Sequence, residues 1–130
     1  MHLINFIICV FVANNNFTLK IFHNSRCKHS RAGLNYLQSK TDNYQIREYL
    51  KEPLTKDEVK EILLKTNLQP IDIVRKQEDY FKKNLKDKNF NKDEWIKIIV
   101  ENPRLLQRPI VVGRLKALIA NPPEEIDVFF

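Results

Sequence analysis

The chain has 130 residues, of which 43% are hydrophobic and 29% are charged, a composition typical of one compact globular domain. Its formal net charge of +6 favours an anionic partner but does not distinguish a nucleic acid from a small oxyanion. Only two glycines and two cysteines occur, which excludes a glycine-rich phosphate loop and a disulfide scaffold. No Cys/His cluster has zinc spacing, so we predict no metal site, and the sparse cysteines favour a reducing, cytoplasmic compartment.

The N-terminal residues 1–18 differ in composition from the rest of the chain. They contain no Asp, Glu, Lys or Arg, and residues 4–12 are almost wholly apolar. The stretch lacks the basic region and cleavage site of a secretory signal, and it is shorter than the roughly 20 apolar residues that span a bilayer. We expect an extension outside the fold, for example from an upstream start codon, with a weak export or anchor segment as the alternative. Residues 19–130 are expected to form a single domain.

The first half of this domain is predicted to alternate strands and helices. Residues 18–23 alternate apolar and polar side chains before an Asn-Ser pair, which predicts a strand that ends in a turn. Residues 28–38 have helical apolar spacing, and residues 44–49 are a second candidate strand. Thr55 and Glu58 have the spacing of a capping box, so another helix is expected to begin there.

The second half is predicted to be helical before it returns to the sheet. Helices are expected over residues 70–74 and 93–100, and the lysine-rich residues 82–92 are interpreted as a solvated face followed by a loop. Residues 110–112 are a short β-branched strand, and residues 117–120 can pair with it through a turn.

The C-terminal Pro122-Pro123 pair is expected to begin a terminal helix. The predicted order is therefore β-α-β-α-α-α-β-β-α. A parallel strand pair joined by a helix, followed by an antiparallel pair, is typical of a thioredoxin-like fold. We predict an α/β protein with a mixed four-stranded sheet flanked by helices and a helical insertion between the second and third strands.

Cys27 falls where the first strand has ended and the first helix is about to begin. The unpaired N–H groups and the positive dipole end of a helix stabilise a thiolate at this position. Cationic and hydrogen-bonding side chains are close to it in sequence, and the Ser30 hydroxyl is spaced to reach the sulfur: His23, Arg26, Lys28, Ser30 and Arg31. The same helix terminus can bind an anion. We predict a reactive thiol beside an oxyanion site, with a buried structural cysteine as the alternative.

Two arginines far from Cys27 in sequence are further candidates. In a thioredoxin-like fold the residue before the third strand approaches the cysteine loop, and the proline that follows it is usually cis. Arg108 and Pro109 fit this place, so Arg108 is expected to point towards Cys27, with a surface arginine as the alternative. Arg75 follows a short apolar segment and by itself indicates only a surface salt bridge.

Five segments, in this order and spacing, resemble the ArsC-type arsenate reductases, a glutaredoxin-coupled thioredoxin-like family that also includes the Spx regulators. The segments are IFHNSRCKHSR, IREYLKEPLT, VRKQEDYFKKNL, ENPRLLQRPIVV and ANPPEEI. The resemblance runs from about Leu19 to the C-terminus.

The resemblance implies a role for each matching residue. Cys27 would be the nucleophile that attacks arsenate, and Arg75 and Arg108 would hold the oxyanion. The remaining matches to the family's anion loop are His23, Asn24, Ser30 and Arg31. Glutathione would be the co-substrate, with glutaredoxin as partner and no bound cofactor. We expect a cytoplasmic monomer that uses neither nucleic acid nor a membrane as partner.

Three positions depart from the family pattern. Ser25 stands where the family usually has a proline, and Leu118 stands where it has a third arginine. Asn121 stands where the family has the arginine of a Gly-Arg-Pro triplet. Two alternatives therefore stay open. The first is a thiol enzyme that acts on glutathione mixed disulfides, with Arg75 and Arg108 binding glutathione carboxylates. The second is an Spx-like regulator that binds RNA polymerase, although such regulators typically carry a second cysteine where this chain has Ser30.

Overall fold

The computed structural model describes residues 17–130, so the expectations for residues 1–16, including Cys9, lie outside the described part of the chain. Within that part the strands are β1 Leu19–Phe22, β2 Tyr44–Arg47, β3 Ile110–Val112 and β4 Ala117–Ile119. The α-helices are α1 Lys28–Lys40, α2 Lys56–Thr66, α3 Asp79–Asn84 and α4 Lys92–Glu101. Short 3-10 helices cover Pro70–Ile73, Pro103–Leu105 and Pro123–Phe129.

The strands form one mixed sheet in the order β2-β1-β3-β4. β1 is parallel to β2 and antiparallel to β3, and β3 is antiparallel to β4. The helical insertion lies between β2 and β3, as the order of elements predicted, and the thioredoxin-like fold is confirmed. Because β1 is central and parallel to β2, the carboxyl ends of these two strands lie at the same edge of the sheet.

Two apolar layers cover the two faces of the sheet, because successive side chains of a strand point to opposite faces. Phe22 and Ile110 belong to the larger cluster, which includes the apolar sides of α2 and α4. Ile21 and Val111, which are paired in register, belong to the smaller cluster with Leu37 of α1. The sheet is therefore flanked by helices on both faces, and α1 lies opposite α2 and α4.

Gly33 allows α1 to pack closely against the start of β3. A Cβ atom at this position would collide with the ring of Pro109, whose peptide bond with Arg108 is cis. Only a residue without a side chain permits this approach. The first half of α1 is thus held beside the segment that carries Arg108.

The lysine-rich stretch was only partly predicted. The interpretation of residues 82–92 as a solvated face and a loop missed α3, which begins at Asp79. Phe81 and Leu85, four residues apart, are both buried in the larger cluster. These two apolar anchors fix a helical turn although its other residues are polar, because burial outweighs the composition of the segment.

The end of the second strand and the type of the C-terminal helix also differ from the expectations. The second strand ends at Arg47, so that Tyr49 lies in the following turn rather than in the strand. The C-terminal segment forms a 3-10 helix, in which Ile126 is the buried anchor. Within residues 17–130, no helix is both long and apolar enough to cross a membrane.

Candidate active site

Cys27 is the N-cap residue of α1, with extended backbone angles of φ −94° and ψ 125°. The loop before it is a tight turn, in which the Cys27 N–H donates to the Asn24 carbonyl oxygen at 3.0 Å. The Asn24 side chain accepts from the Arg26 N–H at 3.0 Å, so this amide stabilises the turn. Among the residues that the structure describes, no side chain caps the helix, which leaves its first N–H groups directed at the thiol.

The pKa of the Cys27 thiol is lowered below its ordinary value. Burial is the largest single influence and raises the pKa. Hydrogen bonds from the backbone N–H groups of Ser30 and His29, together with the hydrogen bond and positive charge of Arg108, outweigh the burial. The lowered pKa increases the fraction of Cys27 that is thiolate at neutral pH. The thiolate is the form of cysteine that acts as a nucleophile.

His23 and Ser30 form a buried pair behind this loop. The His23 Nδ1 atom and the Ser30 Oγ atom are 2.8 Å apart, and Ser30 Oγ also accepts from the Asn24 N–H at 2.9 Å. The Ser30 hydroxyl is thus directed at His23 and Asn24, and the Ser30 group that lowers the thiol pKa is the backbone N–H. Burial lowers the pKa of His23, although the Glu48 carboxylate and Ser30 raise it, so the imidazole is neutral at neutral pH.

Arg31 stabilises the same loop from its solvent-exposed side. Its side chain is exposed, and its Nη1 donates to the Ser25 carbonyl oxygen at 3.0 Å. Its positive charge is one of the smaller influences that lower the pKa of His23. The structure therefore brings Arg31 to the loop at Ser25.

Arg75 and Arg108 are brought together by two chain segments that pair through their backbones. The Arg75 N–H donates to the Leu105 carbonyl oxygen at 2.7 Å, and the Gln107 N–H donates to the Ile73 carbonyl oxygen at 2.8 Å. Arg108 Nη1 in turn donates to the carbonyl oxygen of Arg104 at 3.0 Å. These bonds hold Arg75 and Arg108 on neighbouring segments, which local sequence patterns do not connect.

Three buried polar atoms on this side of the site have no hydrogen-bond partner within residues 17–130. They are Arg75 Nε, Arg108 Nε and the phenol oxygen of Tyr49. The charges of both arginines and of Cys27 act on the Tyr49 phenol, so these four side chains lie near one another. Buried donors without a partner are rare in folded proteins and here indicate an anion-binding site.

Tyr49 is a site residue that the sequence reasoning missed. We had interpreted it only as the last residue of the second strand. The available signal was topological: β1 and β2 are parallel, so residues just after their carboxyl ends meet at one edge of the sheet. Tyr49 follows β2 at this edge, and Cys27 follows β1.

A cleft of about 900 Å³ adjoins the cysteine loop and reaches Arg108. Its lining includes both carboxylates and cations, among them Glu48, Lys51, Glu78 and Arg104. A ligand that carries both carboxylates and an ammonium group would find complementary charges there. Within residues 17–130, no group of three or more His, Cys, Asp or Glu side chains could hold a metal ion.

Residues 22–129 match the sequence model of the ArsC family. The chain is 35% identical over 111 residues to an arsenate reductase of Neisseria meningitidis, a match that covers 84% of this chain and 95% of that relative. It is 34% identical over 110 residues to the uncharacterized protein YfgD of Escherichia coli, covering 83% of this chain and 92% of that protein. The solved arsenate reductase of Vibrio cholerae superposes with a TM-score of 0.81 at 28% identity, covering 88% of this chain and 98% of that one.

Proposed function

The chain belongs to the ArsC family, and we propose that it is a cysteine-dependent arsenate reductase that uses glutathione, with glutaredoxin, as its reductant. The observation that carries the proposal is the position of Cys27, a thiol of lowered pKa close to Arg75 and Arg108, whose Nε–H groups have no partner in the described part of the chain. Relatives named arsenate reductase support the choice of arsenate as the oxyanion.

In the first step the Cys27 thiolate attacks the arsenic of a bound arsenate monoanion. A sulfur–arsenic bond forms and an arsenic–oxygen bond breaks, while the departing hydroxide takes up a proton and leaves as water. Arsenic remains pentavalent in this adduct. Two anions must approach each other in this step, and the two guanidinium groups offset that repulsion by binding the arsenate oxygens.

The electrons for reduction come from glutathione. Overall, the arsenate monoanion and two glutathione thiols give the arsenite monoanion, glutathione disulfide and water, so that arsenic gains the two electrons that the two thiols lose. Within residues 17–130, Cys27 is the only cysteine, which favours an external thiol over an internal relay. The cleft beside the cysteine loop supports glutathione as that thiol, because the tripeptide carries two carboxylates and one ammonium group that Arg104 and Glu78 can pair with.

A steady-state assay with arsenate, glutathione and glutaredoxin tests this proposal. We expect arsenite formation that requires all three, and a loss of more than about a thousandfold in kcat for Cys27→Ser, because a serine hydroxyl is a poor nucleophile without a base. Cys9→Ser is the matched control, since it removes the other thiol of the chain and is expected to retain activity. Equal activity of the wild type and Cys27→Ser would contradict the proposal.

A second candidate function is the release of glutathione from mixed disulfides. The identity of residue 118 favours this function. Leu118 stands where the family resemblance places a third arginine, so it supplies no positive charge for an arsenate anion, and it packs half-buried against the smaller apolar cluster. The same preparation should therefore be assayed on a glutathionylated peptide. Turnover of the peptide without any arsenite formation would assign the thiol chemistry to disulfides.

A further inference from the structure

Tyr49 carries a buried hydroxyl that the fold itself leaves unsatisfied. Its side chain is 1% exposed, and its phenol oxygen has no hydrogen-bond partner within residues 17–130. Buried tyrosine hydroxyls are normally hydrogen-bonded, because an unpaired buried hydroxyl destabilises the fold. The phenol is therefore in the position of a donor whose acceptor is a ligand.

The phenol is held rigidly in this position. Its ring packs against the ring of Phe22 with a centroid distance of 6.5 Å. Arg47 stabilises the turn that carries Tyr49. Its guanidinium donates to the Glu52 carbonyl oxygen at 3.2 Å and to the Pro53 carbonyl oxygen at 2.7 Å. The same group forms an ion pair with Glu58 at 2.8 Å. Little movement of the phenol is needed when a ligand enters, and such pre-organisation favours binding.

The charges around the phenol are those of the candidate active site. Arg108 and Arg75 both act on it electrostatically, and so does the Cys27 thiolate. Arg108 also exerts a weaker hydrogen-bonding influence that lowers the pKa of the phenol. Within residues 17–130, however, no polar atom is placed to form a full hydrogen bond with the phenol oxygen or with Arg108 Nε. The unused donors of all three residues are therefore free for one shared ligand.

The protonation state of the phenol defines what it can do there. Burial raises the pKa of Tyr49 to about 12, although the positive charges of Arg108 and Arg75 lower it. The hydroxyl therefore keeps its proton at neutral pH. A neutral phenol donates a hydrogen bond to an anion, whereas a phenolate would repel it.

We infer that the Tyr49 hydroxyl donates a hydrogen bond to an oxygen of the bound oxyanion, alongside Arg75 and Arg108, and is a further anion-binding residue of this site. The inference rests on the proposed function, because the anion is taken to be the arsenate that Cys27 attacks. An attacked tetrahedral arsenate keeps three oxygens on arsenic, and the two Nε–H groups and the phenol supply one donor for each. Tyr49 thereby adds a third donor to those of the two arginines.

The test compares Tyr49→Phe with Tyr36→Phe. The first variant keeps the aromatic packing and removes the unpartnered hydroxyl. The second is the matched control, because it removes a hydroxyl that donates to Asp127 at 2.6 Å on the far side of α1. For Tyr49→Phe we expect an increase of about tenfold in the KM for arsenate, the size of one hydrogen bond to a charged group, with kcat changed less. Tyr36→Phe should keep the wild-type KM.

Protection of Cys27 from alkylation by inorganic arsenate, without glutathione, gives a second readout. We expect the half-protecting arsenate concentration to rise by a similar factor in Tyr49→Phe, while its thermal midpoint is unchanged or higher. A wild-type KM and wild-type protection in Tyr49→Phe would overturn the inference and leave the proposed function intact. A wild-type protein that is neither protected by arsenate nor active on it would overturn the proposed function and, with it, the role of Tyr49.

Discussion

The two sides of the candidate site differ in how their polar groups are satisfied. On the cysteine side, the loop over residues 23–31 satisfies its groups internally: His23 Nδ1 and the Asn24 N–H are each hydrogen-bonded to the Ser30 hydroxyl, and Arg31 Nη1 donates to the Ser25 carbonyl oxygen. On the arginine side, buried donors of Tyr49, Arg75 and Arg108 have no partner within residues 17–130.

This difference separates two tasks. The cysteine loop, whose side chains are hydrogen-bonded within the loop, holds the thiol and the helix N–H groups in one geometry. Its hydrogen bonds therefore contribute mainly to the stability of the fold. A group of buried donors without partners destabilises the fold until an anion accepts hydrogen bonds from them. These donors therefore contribute mainly to anion binding. Substitutions on the two sides should therefore change different measurements.

The largest effect is expected on the arginine side, from Arg108→Ala. Arg108 both stabilises the Cys27 thiolate and offers its Nε–H to the anion, so its loss removes two contributions at once. We expect kcat/KM for arsenate to fall by about a hundredfold to a thousandfold, the range for removing one preorganised donor from developing charge. The pKa of Cys27, measured by pH-dependent alkylation, should rise.

Arg75→Ala is the matched comparison for this variant. It removes an equivalent guanidinium from the same group of donors, and its expected effect falls mainly on arsenate binding. The rise in the Cys27 pKa should be larger in Arg108→Ala than in Arg75→Ala. Equal alkylation profiles in the two variants and the wild type would mean that the backbone N–H groups alone stabilise the thiolate.

The next effect is expected on the cysteine side, from Ser30→Ala. This change leaves the buried Nδ1 of His23 and the N–H of Asn24 without a partner. We expect the free energy of unfolding, measured by urea denaturation, to fall by about 1–3 kcal/mol. The Ser30 backbone N–H is retained, so the pKa of Cys27 should change little.

Two other hydroxyl deletions make this result specific. Ser39→Ala removes an exposed hydroxyl from the same helix and is expected to cost less than about 0.5 kcal/mol. Tyr49→Phe removes a buried hydroxyl that has no partner among residues 17–130, and this change should not lower stability. If Ser30→Ala and Tyr49→Phe destabilised the protein equally, the contrast between the two sides would be wrong.

The cysteine side could largely be predicted from the sequence because its interactions are local. The alternating pattern over residues 18–23 and the polar turn after it predicted that Cys27 would begin a helix. The capping box of Thr55 and Glu58 is likewise a short-range pattern, and it is present at the start of α2. The direction of the Ser30 hydroxyl was missed, because its bond to His23 spans seven residues across the turn.

The arginine side could not be derived from local patterns in the same way. The segments that carry Arg75 and Arg108 are joined by backbone pairing between residues 73–75 and 105–107, and neither segment alone encodes that pairing. Only the family resemblance joined the two arginines. Tyr49 was missed because its place at the site depends on the parallel pairing of β1 and β2 and on its nearness to two arginines that are distant in sequence.

The smallest expected effect concerns the pH dependence of stability on the cysteine side. Burial is the main cause that lowers the pKa of His23, so the folded state resists protonation of this imidazole. The unfolded chain takes up the proton near its ordinary pKa of about 6.5. Between these two pKa values the unfolded state binds more protons, and stability therefore falls as the pH drops below about 6.5.

Replacing His23 tests this dependence. Urea denaturation of His23→Asn between about pH 7.5 and pH 5.5 should give a flatter stability profile than the wild type, because the proton uptake by the unfolded chain is lost. His29→Asn is the matched control, since His29 is exposed and should leave the slope unchanged. A wild-type slope in His23→Asn would mean that the buried pair of His23 and Ser30 does not exclude the proton, and that the cysteine loop is less self-contained than its hydrogen bonds indicate.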